Sequence, residues 1–372
     1  MAFYLLLLAV AGLIVALGHL RVPRLSISSS VTHGRRLPEH QSVELLTMSG
    51  VLLVALFSTI AGIRYFVGTD FPMYANDFLR VNPHSFLDTI LSQRYEYGFT
   101  TLMFLSRRIS TSPESMFWIM GTVIAILTAI AYHLLTDSVP KALLLWLLFG
   151  MFFFSLNGIR QAIAAPLIMI SYYFLHKRKY FPFMVFVGIA LLFHVSSIMA
   201  VPLLIIFQRI LWSWRKIVIL VLGIVVLGAG ILFSGAAQAI AVAIDPRYIA
   251  YFQQRLVAGN SPYLVFGSRV ILLLAIYFGT KKVELSQIVF VPLAIIATGG
   301  AFWFLARYAT WFWRLDASLD VFIPVAVLGA LRESSGHQRK LLWIVILAWG
   351  FAQYTALLLA GFHNLIPFRT WP

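Results

Sequence analysis

Arg160 opens an apolar run in the stretch NGIRQAIAAP, with Asn157 and Gln161 on either side of it. A guanidinium presents a planar fork of donors, stays charged in almost any surroundings, and grips phosphate or carboxylate through two parallel hydrogen bonds. At a helix start the unpaired backbone N–H groups and the helix dipole add to that attraction. The chemistry on offer is the holding of an anion. Three carboxylates could act beside it as a general base for a hydroxyl: Asp70 in GTDFPMY, Asp77 seven residues on, and Glu96 in YEYGF. Near arginines each could equally be an ion-pair partner. His194 in FHVSS could bond a hydroxyl, shuttle a proton or satisfy a helix break. No histidine pair has the i, i+4 spacing of a metal helix, so neither a catalytic metal nor a cofactor is predicted.

The elements that must position these groups are membrane helices. Of 372 residues 61% are hydrophobic and only 11% charged, in long apolar runs along the whole chain, which predicts an all-α polytopic integral membrane protein. Candidate spans are 2–20, 44–63, 115–135, 140–156, 158–176, 181–207, 216–233, 263–280, 286–305, 311–330 and 341–361. With breaks allowed, this amounts to about 11 to 12 crossings. The first run lacks a basic n-region and a small-residue cleavage site, and reads as a retained span rather than a signal peptide. The run around Gly98 is too short to cross and reads as re-entrant or interfacial. The 27 residues of 181–207 are either one tilted helix or a pair broken near His194. The whole is one transmembrane domain, 1–372, with extracytoplasmic loops at 64–113 and 234–262. There are no cysteines, which excludes disulfides and thiolate metal sites.

The formal charge of +15 has to be read side by side across the bilayer, and does not point to nucleic acid. The basic loop 21–43 is cytoplasmic by the positive-inside rule. Counting onward, with 181–207 broken, all seven lysines fall inside. The outer side keeps twelve arginines, Arg64, Arg80, Arg94, Arg107, Arg108, Arg160, Arg247, Arg255, Arg269, Arg307, Arg314 and Arg369. An outer face using arginine alone suggests an anionic ligand, although any one of them could snorkel to headgroup phosphates or pair with an acid.

A second constellation lies in RYATWFWRLDASLDVFIPV. Asp316 and Asp320 are four apart, so they share a face if the segment is one helix, with Arg307 and Arg314 near its outer end. Ion pairing with Arg314 and a polar cavity wall are both open. Tyr248, Tyr251 and Arg255, in the outer loop, have the mix that suits stacking on sugar rings.

The stretch from Asn157 through FHVSS to Ile206 resembles the central signature of the EpsG family of Wzy-type polysaccharide polymerases, an N-G-x-R-Q-A-x-A helix start followed by a basic turn and an F-H-x-S segment. RYFVGTDFPMY, Arg64 to Tyr74, is similar to the family's early R-x-x-x-G-x-D-x-x-x-Y segment. YEYGF is similar to its E-P-G-F segment, with Tyr97 in place of the proline. The resemblance implies a GT-C-like glycosyltransferase architecture in a bacterial inner membrane, with the site facing the periplasm or exterior. It implies a defined reaction: a glycan carried on undecaprenyl diphosphate is transferred to the non-reducing end of the next lipid-linked repeat unit, without a nucleotide sugar. Donor and acceptor are both lipid-linked oligosaccharides, and a flippase and a chain-length regulator are implied partners. Cationic stabilisation of the departing diphosphate agrees with the arginines. On this reading Arg160 with Gln161 holds the diphosphate, Asp70 leads Asp77 and Glu96 as general base, and His194 faces the sugar. Arg64, Asn157, Asp77, Tyr248, Arg255, Arg307, Arg314 and Asp316 are candidate substrate contacts.

Two other readings share the arginines. A flippase for lipid-linked sugars would be expected to carry inverted repeats, which are not visible. An O-antigen ligase-like transferase would differ only in its acceptor. An intramembrane hydrolase would need a G-x-S-x-G or H-E-x-x-H motif, and neither is present.

Overall fold

The computed structural model describes residues 1–18, 47–92, 94–236, 239, 261–306, 312, 315–316 and 318–371. Among them it is all-α, with 16 α-helices and short 3-10 turns. Four helices are long and apolar enough to cross a membrane, and several shorter apolar ones accompany them.

The first helices are split lengthwise between protein and lipid. In α1 (Ala2–Leu17) Tyr4, Leu7, Ala11 and Val15 are buried on one helical stripe, while Leu5, Leu6, Leu13 and Leu17 are exposed. An apolar face left open in this way is what a bilayer covers. α2 (Met48–Ile63) starts at Thr47, whose hydroxyl accepts the Gly50 N–H at 3.2 Å. It packs on α6 (Pro113–Leu135) where a Cβ added to Gly121 would come within 2.4 Å of Ala61 Cβ. Small residues allow that approach, as in membrane helix pairs generally.

Between α2 and α6 lie three short helices, α3 (Phe71–Leu79), α4 (Phe86–Ser92) and α5 (Tyr97–Ile109). The helix at Gly98 has 13 residues and is two-faced, with Phe99, Thr100, Met103 and Ser106 buried and Leu105 and Ile109 exposed. It is too short to cross, as its sequence suggests.

The apolar run 140–156, expected as one span, is divided. α7 (Val139–Leu148) stops at Phe149, Gly150 takes a left-handed φ of +83°, and α8 (Met151–Ser155) restarts after it. Only a residue without a Cβ adopts that φ at little cost, so one glycine converts a uniformly apolar run into a broken helix. α9 (Ile159–His176) follows and is buried around most of its circumference. Its Pro166 lacks an N–H, so the carbonyl of Ala162 loses its i+4 donor.

The run 181–207 is a broken pair. α10 (Tyr180–Leu191) ends short of His194, a 3-10 turn (Val195–Met199) reverses the chain, and α11 (Ala200–Arg209) returns. α12 (Trp214–Phe233) exposes Val218, Ile219, Leu222, Val226 and Leu227. α13 (Ser261–Thr280) is followed by α14 (Gln287–Ala306), a central helix buried almost throughout. The run 311–330 is not one helix either: a 3-10 turn at Asp320–Phe322 precedes α15 (Ile323–Glu333). Asp316 and Asp320 therefore do not sit on one face of a continuous helix. α16 (Gly336–Leu359) crosses last, and the tail returns to the end of α2, where Tyr65 N–H donates to Arg369 O at 2.8 Å.

Polar contacts join the loops at one end of the bundle. Arg332 reaches Asp137 at 3.4 Å, the Ser286 N–H and hydroxyl both donate to Glu333, and Gln287 and Trp212 exchange two hydrogen bonds. Gln208 pairs with His176 Nδ1 at 2.9 Å. All seven lysines lie on or beside these joined loops, at Lys141, Lys177, Lys179, Lys216, Lys281, Lys282 and Lys340. The reversal at His194 is what brings the 209–214 loop to this end. The start of α9, the His194 turn and helices α3 to α5 lie at the other.

Candidate functional site

At the end away from the lysines, the turn before α9 organises a polar cluster. Asn157 is buried, and its Oδ1 accepts from Thr69 Oγ1 at 2.6 Å and from the Asp70 N–H at 2.9 Å. This clamps the loop before α3 onto the α9 start. Gly68 makes the close approach possible: its φ is +102°, and an added Cβ would lie 2.8 Å from the Leu156 carbonyl oxygen. Asp70, half-buried, then begins α3, and Tyr74 follows one turn later facing Arg160. Burial pushes the Tyr74 phenol above its ordinary pKa, against the pull of Arg160, so it stands as a neutral hydroxyl whose oxygen accepts from the Arg160 guanidinium.

Arg160, in the first turn of α9, donates from Nη1 to Glu96 Oε2 at 2.5 Å, and its guanidinium lies 4.9 Å from the centre of the Tyr95 ring. Glu96 precedes α5, and its second oxygen accepts the Val195 N–H at 3.2 Å and stands 3.5 Å from His194 Nδ1. His194 Nε2 is 2.6 Å from Ser196 Oγ. Burial alone would raise the Glu96 pKa. His194 and Arg160 outweigh it and bring it down to about 2. Glu96 is thus an anion at any physiological pH, and a weak proton acceptor. The Arg160 Nε is buried without a hydrogen bond, so one donor of the fork is uncommitted.

Asp77 belongs to a supporting layer. The Tyr95 hydroxyl and Arg94 Nη2 both donate to its Oδ2, the latter at 3.0 Å, and Arg80 lies 4.0 Å from Oδ1. The carboxylate holds the ring over which Arg160 lies. Asp70 borders the cluster directly, beside Tyr74.

The remaining candidates are dispersed. Arg64 is 2% exposed, with its guanidinium 4.7 Å from the centre of the Phe117 ring, sealed by the returning tail. Gln161 Nε2 donates to Ser318 Oγ at 2.9 Å, turned away from Glu96. Asp316 is buried near the middle of the bundle, beside Arg269 and Asp320. Tyr248, Arg255, Arg307 and Arg314 lie outside the described residues. Among the described residues no three histidine or acidic side chains gather as a metal site.

Several partners escape a reading by sequence. Tyr74 and Tyr95 brace the arginine, and Ser196 orients His194. Arg269 pairs with Asp320 through two hydrogen bonds of 3.0 and 2.5 Å. Tyr95 sits next to Glu96 in YEYGF, a usable signal, but nothing in the spacing ties Arg269 to an acid 51 residues away.

Fold and site together define a multi-pass helical membrane protein with an arginine–carboxylate–histidine cluster at one end of its bundle. Residues 48–370 match the EpsG family, so the chain belongs to that family, which is associated with exopolysaccharide synthesis. No curated protein and no solved structure matches it.

Proposed function

We propose that this protein is a membrane glycosyltransferase that polymerises lipid-linked oligosaccharide repeat units at the outer face of a bacterial cytoplasmic membrane. The observation that carries the reading is the meeting of Asp70, Glu96, Asn157, Arg160 and His194 at the bundle end opposite the lysines. By the positive-inside rule the lysine end is cytoplasmic, so this cluster faces outward.

The donor is a glycan on undecaprenyl diphosphate. Arg160 takes a phosphate oxygen with its uncommitted Nε, helped by the N–H groups of the α9 start. Asp70 accepts the proton of the acceptor hydroxyl as its oxygen attacks the anomeric carbon. The bond from that carbon to the diphosphate oxygen breaks, and the electron pair leaves with the lipid diphosphate. A cation fixed beforehand where that charge develops lowers the barrier without reorganising. Glu96 positions Arg160 and His194, and His194 bonds a sugar hydroxyl.

The test is glycan length in cells lacking the gene, complemented with wild type, Arg160→Lys or Asp70→Asn at equal membrane levels. Null and Arg160→Lys cells should display single repeat units only, since lysine keeps the charge and loses the fork. Full-length polymer in null cells, with lipid-linked units accumulating inside, would replace this reading with a flippase.

A further inference from the structure

On the other side of the α9 start from Arg160 lies a second polar site. A cavity there is bordered by Ala162, Ala165 and Pro166 of α9. At 100° per residue these positions lie about 140 to 240° around the helix from Arg160, on the opposite face. The cavity reaches from the lysine-side half of α6, at Thr128, to the far end of α16, at Leu357. It therefore extends from just past mid-depth towards the end opposite the lysines.

The lining holds polar groups that the protein leaves unsatisfied. Asp316 is 1% exposed, and neither of its carboxylate oxygens has a hydrogen-bond partner. Arg269 spends Nε and Nη2 on Asp320, while its Nη1, also buried, has none. Ala162, bordering the same space, has a carbonyl without its i+4 donor. Buried polar groups nearly always find partners, and an orphan costs about 1 to 3 kcal/mol. Three such atoms on two side chains at one cavity point to a ligand that supplies both donors and acceptors.

The charges narrow its class. Arg269 is matched by Asp320, so Asp316 makes the site acidic, or neutral once protonated, and a phosphate would find no unmatched cation there. Gln353, which accepts from Ser268 Oγ at 2.5 Å, also lines the space, as do Trp146 and Trp303. Carboxyl, amide and guanidinium groups beside indole rings suit a molecule with hydroxyls on its edges and apolar C–H faces.

We infer that this cavity is a saccharide-binding site, separate from the Arg160 cluster, which takes the sugar part of a lipid-linked oligosaccharide and rejects its diphosphate. The sugar's origin in a lipid-linked unit rests on the function proposed above. The binding itself does not.

The full chain in nanodiscs would be titrated with repeat-unit oligosaccharide released by mild acid from the strain's lipid-linked pool, and separately with undecaprenyl diphosphate. Binding would be read by tryptophan fluorescence and by saturation-transfer NMR on the sugar protons. The free oligosaccharide should bind wild type and Arg160→Lys alike. Asp316→Asn, near-isosteric, should weaken it by about tenfold or more, as loss of a charge-assisted hydrogen bond would. Trp303→Phe should diminish the fluorescence response while NMR still detects the sugar. Undecaprenyl diphosphate should bind Asp316→Asn as it binds wild type. Failure of the oligosaccharide to bind wild type, or equal binding by a monodisperse Asp316→Asn protein, overturns the inference. Saccharide binding with normal polymer in null cells would sustain the site and reject the polymerase.

Discussion

Arg160 and Glu96, 64 residues apart in the chain, meet at 2.5 Å at the edge of the bundle. The contact ties the start of a buried membrane helix to the start of a two-faced surface helix, and Val195 and His194 close on the same carboxylate. An arginine expected to meet an anionic substrate thus already has an anionic partner. Glu96 fixes its direction and lowers its net charge, leaving Nε as the donor for a ligand.

Glu96→Gln removes the charge and keeps the shape. Arg160 then remains half-buried without a counter-ion, and stability should fall by on the order of 2 kcal/mol. Polymer formation should fall with it, because Arg160 and His194 lose their common anchor. Thermal unfolding of the purified protein and glycan length in complemented cells are the readouts.

The same pair has a defined pH dependence. Glu96 has its folded pKa lowered from 4.5 to about 2. Its stabilisation is fully present above pH 4.5 and is lost as pH falls through about 2, below which both states are protonated. The stability difference between wild type and Glu96→Gln should be flat from pH 7 to 5 and shrink below about 4. Unfolding curves across that range test it; a difference already shrinking between pH 7 and 5 would mean the carboxylate is not held so low.

Asn157→Ala should uncouple the Asp70 loop. It leaves the Thr69 hydroxyl and Asp70 N–H without their shared acceptor, costing about 1 to 3 kcal/mol. If Asp70 is the base, activity should fall further than stability does. Measuring polymer yield at matched membrane levels separates the two.

Gly68→Ala addresses the same loop through the backbone. A φ of +102° and an oxygen 2.8 Å from the new Cβ allow no methyl group without movement. A loss of about 1 to 3 kcal/mol is expected, read as a fall in melting temperature.

Much of this was legible in the sequence, for physical reasons that differ by element. Apolar length identified α6, α9, α14 and α16, and the placement of Arg160 at the bundle end away from the lysines followed from counting helices between them. The break near His194 was visible as a polar residue inside an apolar run. The break at Gly150 was not, because every neighbour is apolar and a single left-handed glycine leaves hydropathy unchanged. Asp316 and Asp320 looked like a helical pair because a spacing of four is the helical repeat, whereas a 3-10 turn begins at Asp320. Pairings such as Arg160 with Glu96 and Arg269 with Asp320 depend on which helices pack together, and spacing along the chain carries no record of that.

The central claim is that the cluster around Arg160 performs glycosyl transfer. Its most direct test is reconstitution of the purified protein in liposomes containing the undecaprenyl-diphosphate-linked repeat unit, followed by electrophoresis of the lipid-linked glycans. Wild type should produce a ladder of lengthening chains, and Arg160→Lys at equal protein should leave single units. Single units with wild type, moved from one leaflet to the other without being joined, would contradict the account.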